Sequence, residues 1–283
     1  MVGTVEIFEV GPRDGLQNAP IKVSVENKIA LINALSAAGF SRIECASFVS
    51  SKWVPQMDGS ADVLTGITRA SGVRYSALAP NMRGFNEAKA AGADEIAIFG
   101  SASEGFSKAN INATIKESIE QFKPIIESAR AIDLPVRGYI SCVVDCPYDG
   151  TVDCSAVARV ADQLFSMGCY EISLGDTLGT GTPDAIARML LAVRDVVPAG
   201  RLAGHFHDTA GRALDNIDAS LSLGLRVFDA AVGGLGGCPF APGAAGNVAT
   251  EVVSAHLTRL GYETGLSQKK VEAAAEIAQA ILE

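Results

Sequence analysis

Eight short apolar runs, each followed by a longer amphipathic segment, dominate the chain: Val5–Val10, Arg42–Ala46, Val73–Ala79, Glu95–Gly100, Val136–Val143, Glu171–Leu174, Ala203–His207 and Val227–Val232. Runs of this length with helical crossovers between them are what a buried parallel sheet requires. Between the first two, Val25, Ile29, Ile32 and Leu35 recur at helical spacing, with Ser24 placed to cap the start and Gly39 to stop it. Thr182-Pro183-Asp184 repeats that logic with a cap, a proline in the first turn and an acid. The remaining segments predict helices over Ala61–Arg69, Met82–Ala91, Ile111–Ala131, Ser155–Met167, Arg212–Leu223, Val248–Leu260 and Gln268–Leu282.

Eight strand-then-helix units without a Pro/Ser-rich linker predict one α/β domain over residues 1–283, a closed (β/α)8 TIM barrel. The open doubly wound sheet is the rival. It lacks its fingerprint, because Gly11-Pro12-Arg13-Asp14-Gly15 after the first run does not have the G-x-G-x-x-G spacing. With 48% hydrophobic and 19% charged residues, the chain can fill a barrel-sized core. A net charge of −9 opposes nucleic acid, and no apolar run reaches the roughly 20 residues of a membrane span. Six cysteines in a long chain without a signal segment read as reduced thiols, and Cys142 and Cys146 as core residues rather than half of a zinc site. The expectation is a soluble, cytoplasmic protein.

In such a barrel the active site lies where the strands end, so polar residues after each apolar run carry the chemistry. Arg13 and Asp14 follow the first run, Glu44 lies in the second, Asp176 follows the sixth and His205-Phe206-His207 closes the seventh. Residues two apart on a strand point to one face, so His205 and His207 converge. Together with Asp14 from another strand end they predict a divalent-metal site of mixed nitrogen and oxygen donors. The third histidine, His256, falls on a predicted helix and reads as an ordinary hydrogen-bonded residue.

From Gly233 to Gly246, six of fourteen residues are glycine, which predicts a lid loop after strand eight, or a phosphate-cradling turn, or both. Cys238 sits inside it, where a thiol can act as proton donor or nucleophile. Asn247 follows, and capping of the next helix competes there with metal ligation. Glu251, one turn on, is placed to orient Asn247 or to complement the helix N-terminus.

These segments resemble the 3-hydroxy-3-methylglutaryl-CoA lyase family within the Asp-Arg-Glu metal-dependent barrel lyases and synthases. The resemblance rests on Val10-Gly11-Pro12-Arg13-Asp14-Gly15-Leu16-Gln17-Asn18, Ile43-Glu44, Ser47-Phe48-Val49-Ser50 and Trp53-Val54-Pro55-Gln56-Met57. Ser173-Leu174-Gly175-Asp176-Thr177, Gly204-His205-Phe206-His207-Asp208, Gly234-Leu235-Gly236-Gly237-Cys238-Pro239-Phe240 and Gly243-Ala244-Ala245-Gly246-Asn247 continue it over nearly the whole chain. Ala231-Val232-Gly233 departs from the family's approach to its signature, without touching the implied catalytic residues.

The resemblance implies Asp14, His205, His207 and Asn247 as ligands of Mg2+ or Mn2+, and Arg13 as a substrate and transition-state contact. It implies Cys238 as a catalytic thiol, with Glu44, Asp176 and Glu251 supporting and Gln17, Asn110, Tyr139 and Ser173 contacting substrate. His205 or Asp14 would receive the hydroxyl proton. The implied partner is an acyl-CoA ester, whose phosphates need a local basic patch, and the expected assembly is a homo-oligomer, dimer or higher. The alternative is an acetyl-CoA-dependent Claisen-condensing synthase acting on a 2-oxo acid, for whose C-terminal accessory region the chain has no room. A catalytically silent binding barrel is a third reading, which metal-dependent turnover would exclude.

Overall fold

The computed structural model describes residues 3–236 and 246–282. Eight parallel strands close into a barrel in chain order: β1 (Glu6–Glu9), β2 (Arg42–Ser47), β3 (Arg74–Leu78), β4 (Glu95–Ser101), β5 (Val136–Ser141), β6 (Glu171–Asp176), β7 (Leu202–Phe206) and β8 (Val227–Ala230). β8 pairs with β1 through Val227↔Glu6, Phe228↔Ile7, Asp229↔Phe8 and Ala230↔Glu9, which removes any free edge. This is the (β/α)8 barrel that the eight apolar runs predict.

The crossovers are helical where the sequence carries caps and apolar stripes. α1 (Val25–Ala38) starts with the Ser24 hydroxyl accepting the Asn27 N–H at 3.2 Å and stops at Gly39, whose φ of 105° suits a residue without Cβ. The helices α2 (Ser60–Gly66), α3 (Met82–Ala90), α4 (Glu104–Ile111), α5 (Ile115–Arg130) and α6 (Cys154–Met167) follow. In α6, Val157, Val160, Ala161 and Leu164 form one buried face at helical spacing. Burying each of the larger side chains contributes about 1.5–3 kcal/mol, so Val157→Asp would open this face. α7 (Pro183–Arg194) begins with Thr182 accepting from the Ala185 N–H at 3.2 Å. α8 (Ala213–Ser222), α9 (Thr250–Arg259) and α10 (Gln268–Ala280) complete the ring.

Many boundaries shift by a few residues from the sequence reading, and three of the differences have a clear local cause. The single helix expected over Ile111–Ala131 is two, because Asn112 turns left-handed at φ 53° and Thr114 opens a new helix with a capping box to Glu117. The fifth strand stops at Ser141 rather than Val143, since Cys142 adopts φ 59°. The helix expected from Val248 begins at Thr250 with Ala249 as its N-cap, so Asn247 does not cap it. None of the described helices is long and apolar enough to cross a membrane. Among the described residues, Cys45, Cys142, Cys146, Cys154 and Cys169 are unbridged.

The barrel interior is charged at its N-terminal end. Arg42 on β2 donates to Glu6 at 2.7 and 2.8 Å and to Glu171 on β6 at 3.0 and 3.2 Å. Arg137 on β5 donates to Glu171 at 2.6 Å and to Asp229 on β8 at 2.7 and 3.1 Å. Bonds between strands that are not neighbours run through the interior, so these side chains fill it in place of aliphatic layers. The Arg137 guanidinium also lies over Phe8 and Tyr139, 4.3 and 4.9 Å from their ring centroids.

Candidate active site

At the end of β1 the chain makes one tight turn over Gly11–Gly15, in which the N–H groups of Arg13, Asp14 and Gly15 all converge on the Val10 carbonyl at 3.2, 2.7 and 3.2 Å. Gly15 is required by close approach, because a Cβ there would lie 2.6 Å from Leu235 Cβ. The turn aims two consecutive polar side chains at the barrel mouth. Arg13 is buried and bonded through Nε to Glu44 Oε2 at 2.6 Å and through Nη1 to Asp14 Oδ1 at 2.6 Å. Tyr139 donates its hydroxyl to the same Glu44 oxygen at 3.2 Å. These contacts hold the fork in one orientation and raise the Arg13 pKa further, although burial opposes it.

Asp14, His205 and His207 each bring a ligand atom within 4.8 Å of the others. His205 stands on β7 and His207 just beyond it, in an antiparallel bridge to Asn247, with the two rings 5.3 Å apart. Asn247 donates its amide to Asp14 Oδ2 at 2.8 Å and to the Leu235 carbonyl at 3.3 Å. Gly236, with φ 116°, leaves room for that amide, since a Cβ would come within 2.9 Å of it.

The electrostatics of the three groups diverge. Burial works against an ionised Asp14, but Arg13 and then the two imidazoles outweigh it and hold the carboxyl down at about 2. Burial and the neighbouring His205 push His207 down to about 4. Burial also pulls His205 down, but its bond to Asp229 and the charge of Asp14 carry it above the ordinary value. An ionised carboxylate and a neutral imidazole are the forms that bind cations. Among the described residues His207 Nδ1 is buried without a hydrogen-bond partner. Among these residues, an orphaned nitrogen beside a second imidazole and a carboxylate fits a divalent cation held by mixed nitrogen and oxygen donors.

The other expected residues divide. Glu44 and Tyr139 join the Arg13 cluster, but Ser173 is committed to Asp229 at 2.7 Å, below the mouth. Asp176 accepts the Gly181 N–H at 2.8 Å and ties the loop after β6, leaving Oδ1 buried and unpartnered. Glu251 accepts from the Gly233 N–H at 3.0 Å, at the start of α9. Gln17 is half-buried two residues beyond the β1 turn, and Asn110 is exposed near the end of α4. Cys238 and most of the glycine-rich stretch expected to form a lid, residues 237–245, lie outside the described residues. His256 pairs with Asp218 at 2.7 Å on the outer ring, away from the cluster, as its helical position predicts.

Sequence reasoning passed over Asp229, Arg137 and Glu171. Each is an isolated charge inside an otherwise apolar run, a signal that points to a buried partner without saying which strand supplies it.

A family model described as HMGL-like matches residues 4–278. The chain belongs to the HMGL-like family. Within it, the mouse protein named 3-hydroxy-3-methylglutaryl-CoA lyase, cytoplasmic, is 55% identical over 96% of this chain and 79% of its own length. A Pseudomonas aeruginosa protein named 3-hydroxy-3-isohexenylglutaryl-CoA/hydroxy-methylglutaryl-CoA lyase is 57% identical over 93% of this chain and 87% of its own. The crystal structure of the HMG-CoA lyase from Brucella melitensis superimposes with a TM-score of 0.97 at 61% identity, covering 98% of both chains. The HMGL-like barrel also resembles the carboxyl transferase domain of Rhizobium etli pyruvate carboxylase, at 18% identity and a TM-score of 0.76, a likeness of fold alone.

Proposed function

We propose that this chain is a divalent-metal-dependent lyase that cleaves 3-hydroxy-3-methylglutaryl-CoA into acetyl-CoA and acetoacetate. The observation that carries the reading is the meeting of Asp14, His205 and His207 beside a fixed Arg13 fork at the C-terminal mouth of the barrel. The names of relatives sharing more than half their residues favour cleavage over the condensing synthase.

Asp14, His205 and His207 would hold Mg2+ or Mn2+, with the Asn247 side chain beside them. Such an ion, when bound, polarises a hydroxyl and lowers its pKa. Cleavage removes the proton of the tertiary hydroxyl, breaks the bond between C2 and C3 and leaves its electron pair on the thioester as an enolate. A proton delivered to C2 then gives acetyl-CoA beside acetoacetate. Arg13 meets the negative charge on the thioester oxygen, because its guanidinium is always charged and is held by Glu44 and Asp14. Asp14 or His205 would receive the hydroxyl proton, and an imidazole that gives one nitrogen to a cation has at most one left for it. Cys238 supplies the proton to the enolate carbon, as a thiol acidic enough to donate near neutral pH.

Purified protein supplied with Mg2+ or Mn2+ and hydroxymethylglutaryl-CoA should release acetyl-CoA and acetoacetate in equal amounts without any 2-oxo acid, and chelator should stop the release. Turnover only when acetyl-CoA and a 2-oxo acid are supplied together would overturn this reading in favour of the synthase. Cys238→Ser should bind metal normally and turn over slowly, and full turnover in that variant would remove the thiol from the chemistry.

A further inference from the structure

His205 and His207 sit side by side, yet their second nitrogens are treated differently. His207 Nδ1 has no hydrogen-bond partner, whereas His205 Nδ1 lies 3.1 Å from Asp229 Oδ2. Asp229 is opposite His205 in the β7–β8 register and is 2% exposed. Its oxygens are already surrounded by donors: Arg137 Nη2 at 2.7 Å on Oδ1, and Arg137 Nη1 at 3.1 Å with the Ser173 hydroxyl at 2.7 Å on Oδ2. A guanidinium has no proton-accepting nitrogen, so the carboxylate facing it is ionised and acts only as acceptor. The bond to the ring therefore needs its proton on His205 Nδ1. In the neutral ring that leaves the lone pair on Nε2, the nitrogen 4.0 Å from Asp14 Oδ2.

We infer that Asp229 is a positioning residue, which fixes His205 as its Nδ1–H form and turns Nε2 toward the metal site, with Arg137 and Ser173 holding Asp229 in turn. The inference rests on the metal reading above. It has a chemical corollary. With Nδ1 donating to Asp229 and Nε2 given to a cation, His205 has no nitrogen left to receive a substrate proton. A carboxylate behind a ligating imidazole also increases its basicity, and loss of such a partner typically weakens metal binding about 10–100-fold.

The chain has three histidines, so nitrogen-15 correlation spectra of the metal-free protein can resolve each ring, with His205→Gln assigning the resonances. Recorded at a pH alkaline enough for the ring to be neutral, His205 should show a protonated Nδ1 and a bare Nε2, and the opposite tautomer overturns the proposal whether or not any variant folds. Asp229→Asn, checked for native circular dichroism, should bind Mn2+ about 10–100-fold more weakly than the parent. Equal affinity in the folded variant overturns the proposal. Glu171→Gln perturbs the same buried network one residue further from the ring, and should lower the melting temperature while leaving Mn2+ affinity within about twofold, since it does not touch His205. If Glu171→Gln weakens Mn2+ as much as Asp229→Asn, the effect is one of general stability and the positioning role fails. A parent protein that binds no Mn2+ would instead remove the metal reading, and the spectra would still decide the form of His205.

Discussion

At the N-terminal end of the barrel Arg42 is buried between Glu6 and Glu171, and Arg137 between Glu171 and Asp229; at the C-terminal end Arg13 is buried between Glu44 and Asp14. The two ends use the same chemistry, a guanidinium between carboxylates. They differ in what the carboxylates do next. Glu6 and Glu171 turn only toward arginines and, for Glu6, the Ser41 hydroxyl, so their charge is consumed inside the fold, whereas Asp229 links this network to His205 at the mouth. Asp14 also faces two imidazoles and an amide, and beside it His207 Nδ1 and Glu44 Oε1 have no partner. Glu95 Oε1 is the exception at the lower end, a buried oxygen without a donor. Buried charge is thus no mark of function by itself; the distinguishing feature is bonding capacity directed at a space that a ligand can enter.

If that contrast is right, changes at the mouth remove chemistry and changes at the floor remove stability. The largest effect expected is His207→Ala, which should abolish both Mn2+ binding by calorimetry and metal-dependent turnover, because one of few protein ligands is gone. His256→Ala, outside the barrel, should leave both near the parent, and an active His207→Ala enzyme would end the metal assignment. Arg42→Met should cost about 3–5 kcal/mol in denaturant unfolding, since it strands buried carboxylates, while turnover per folded molecule stays near the parent. A stable but inactive Arg42→Met protein would break the division between the two ends. Arg13→Lys should stay folded and lose about 2.7–4 kcal/mol of transition-state stabilisation, read from kcat/KM, by analogy with loss of an oxyanion donor. Parity with the parent would move Arg13 from the mouth's chemistry to its scaffolding.

The smallest effect concerns acid. Burial raises the Glu6 carboxyl, but the Arg42 bond and charge outweigh it and set the folded pKa below the ordinary 4.5. The folded state therefore binds fewer protons than the unfolded chain in that window. The stability Glu6 contributes is complete above pH 4.5 and is lost as pH falls through the folded value. Glu6→Gln should show a shallower decline of melting temperature below pH 4.5 than the parent, and an unchanged slope would mean that the Arg42 pair does not couple to protons.

The sequence displays these two ends unequally. The barrel is legible because apolar runs and capped helices are local signals: Ser24, Gly39 and Thr182 do in the structure what their positions predict. Asp14, His205 and His207 are legible because few polar residues follow the strands. The interior column is hidden for the opposite reason. Arg137, Glu171 and Asp229 lie inside apolar runs, where a charge reads as noise until its partner from another strand is known. Local reasoning left Asn247 divided between capping and ligation, since its bond to Asp14 joins residues far apart in the chain and the N-cap position proved to be Ala249.

The pairing of β8 with β1 has a kinetic meaning. Asp14 and Asn247 are separated by 233 residues, and the strand that carries the first functional turn has its second neighbour only once the last unit exists. A ribosome releases the N-terminal end first, so for most of synthesis β1 is an open sheet edge beside Asp14, one of the three residues of the proposed cation site. Contacts this distant in sequence close late, after the loop entropy of the whole chain has been overcome. The ability to bind metal should therefore appear abruptly with the final strand and helices, rather than grow as each βα unit is added.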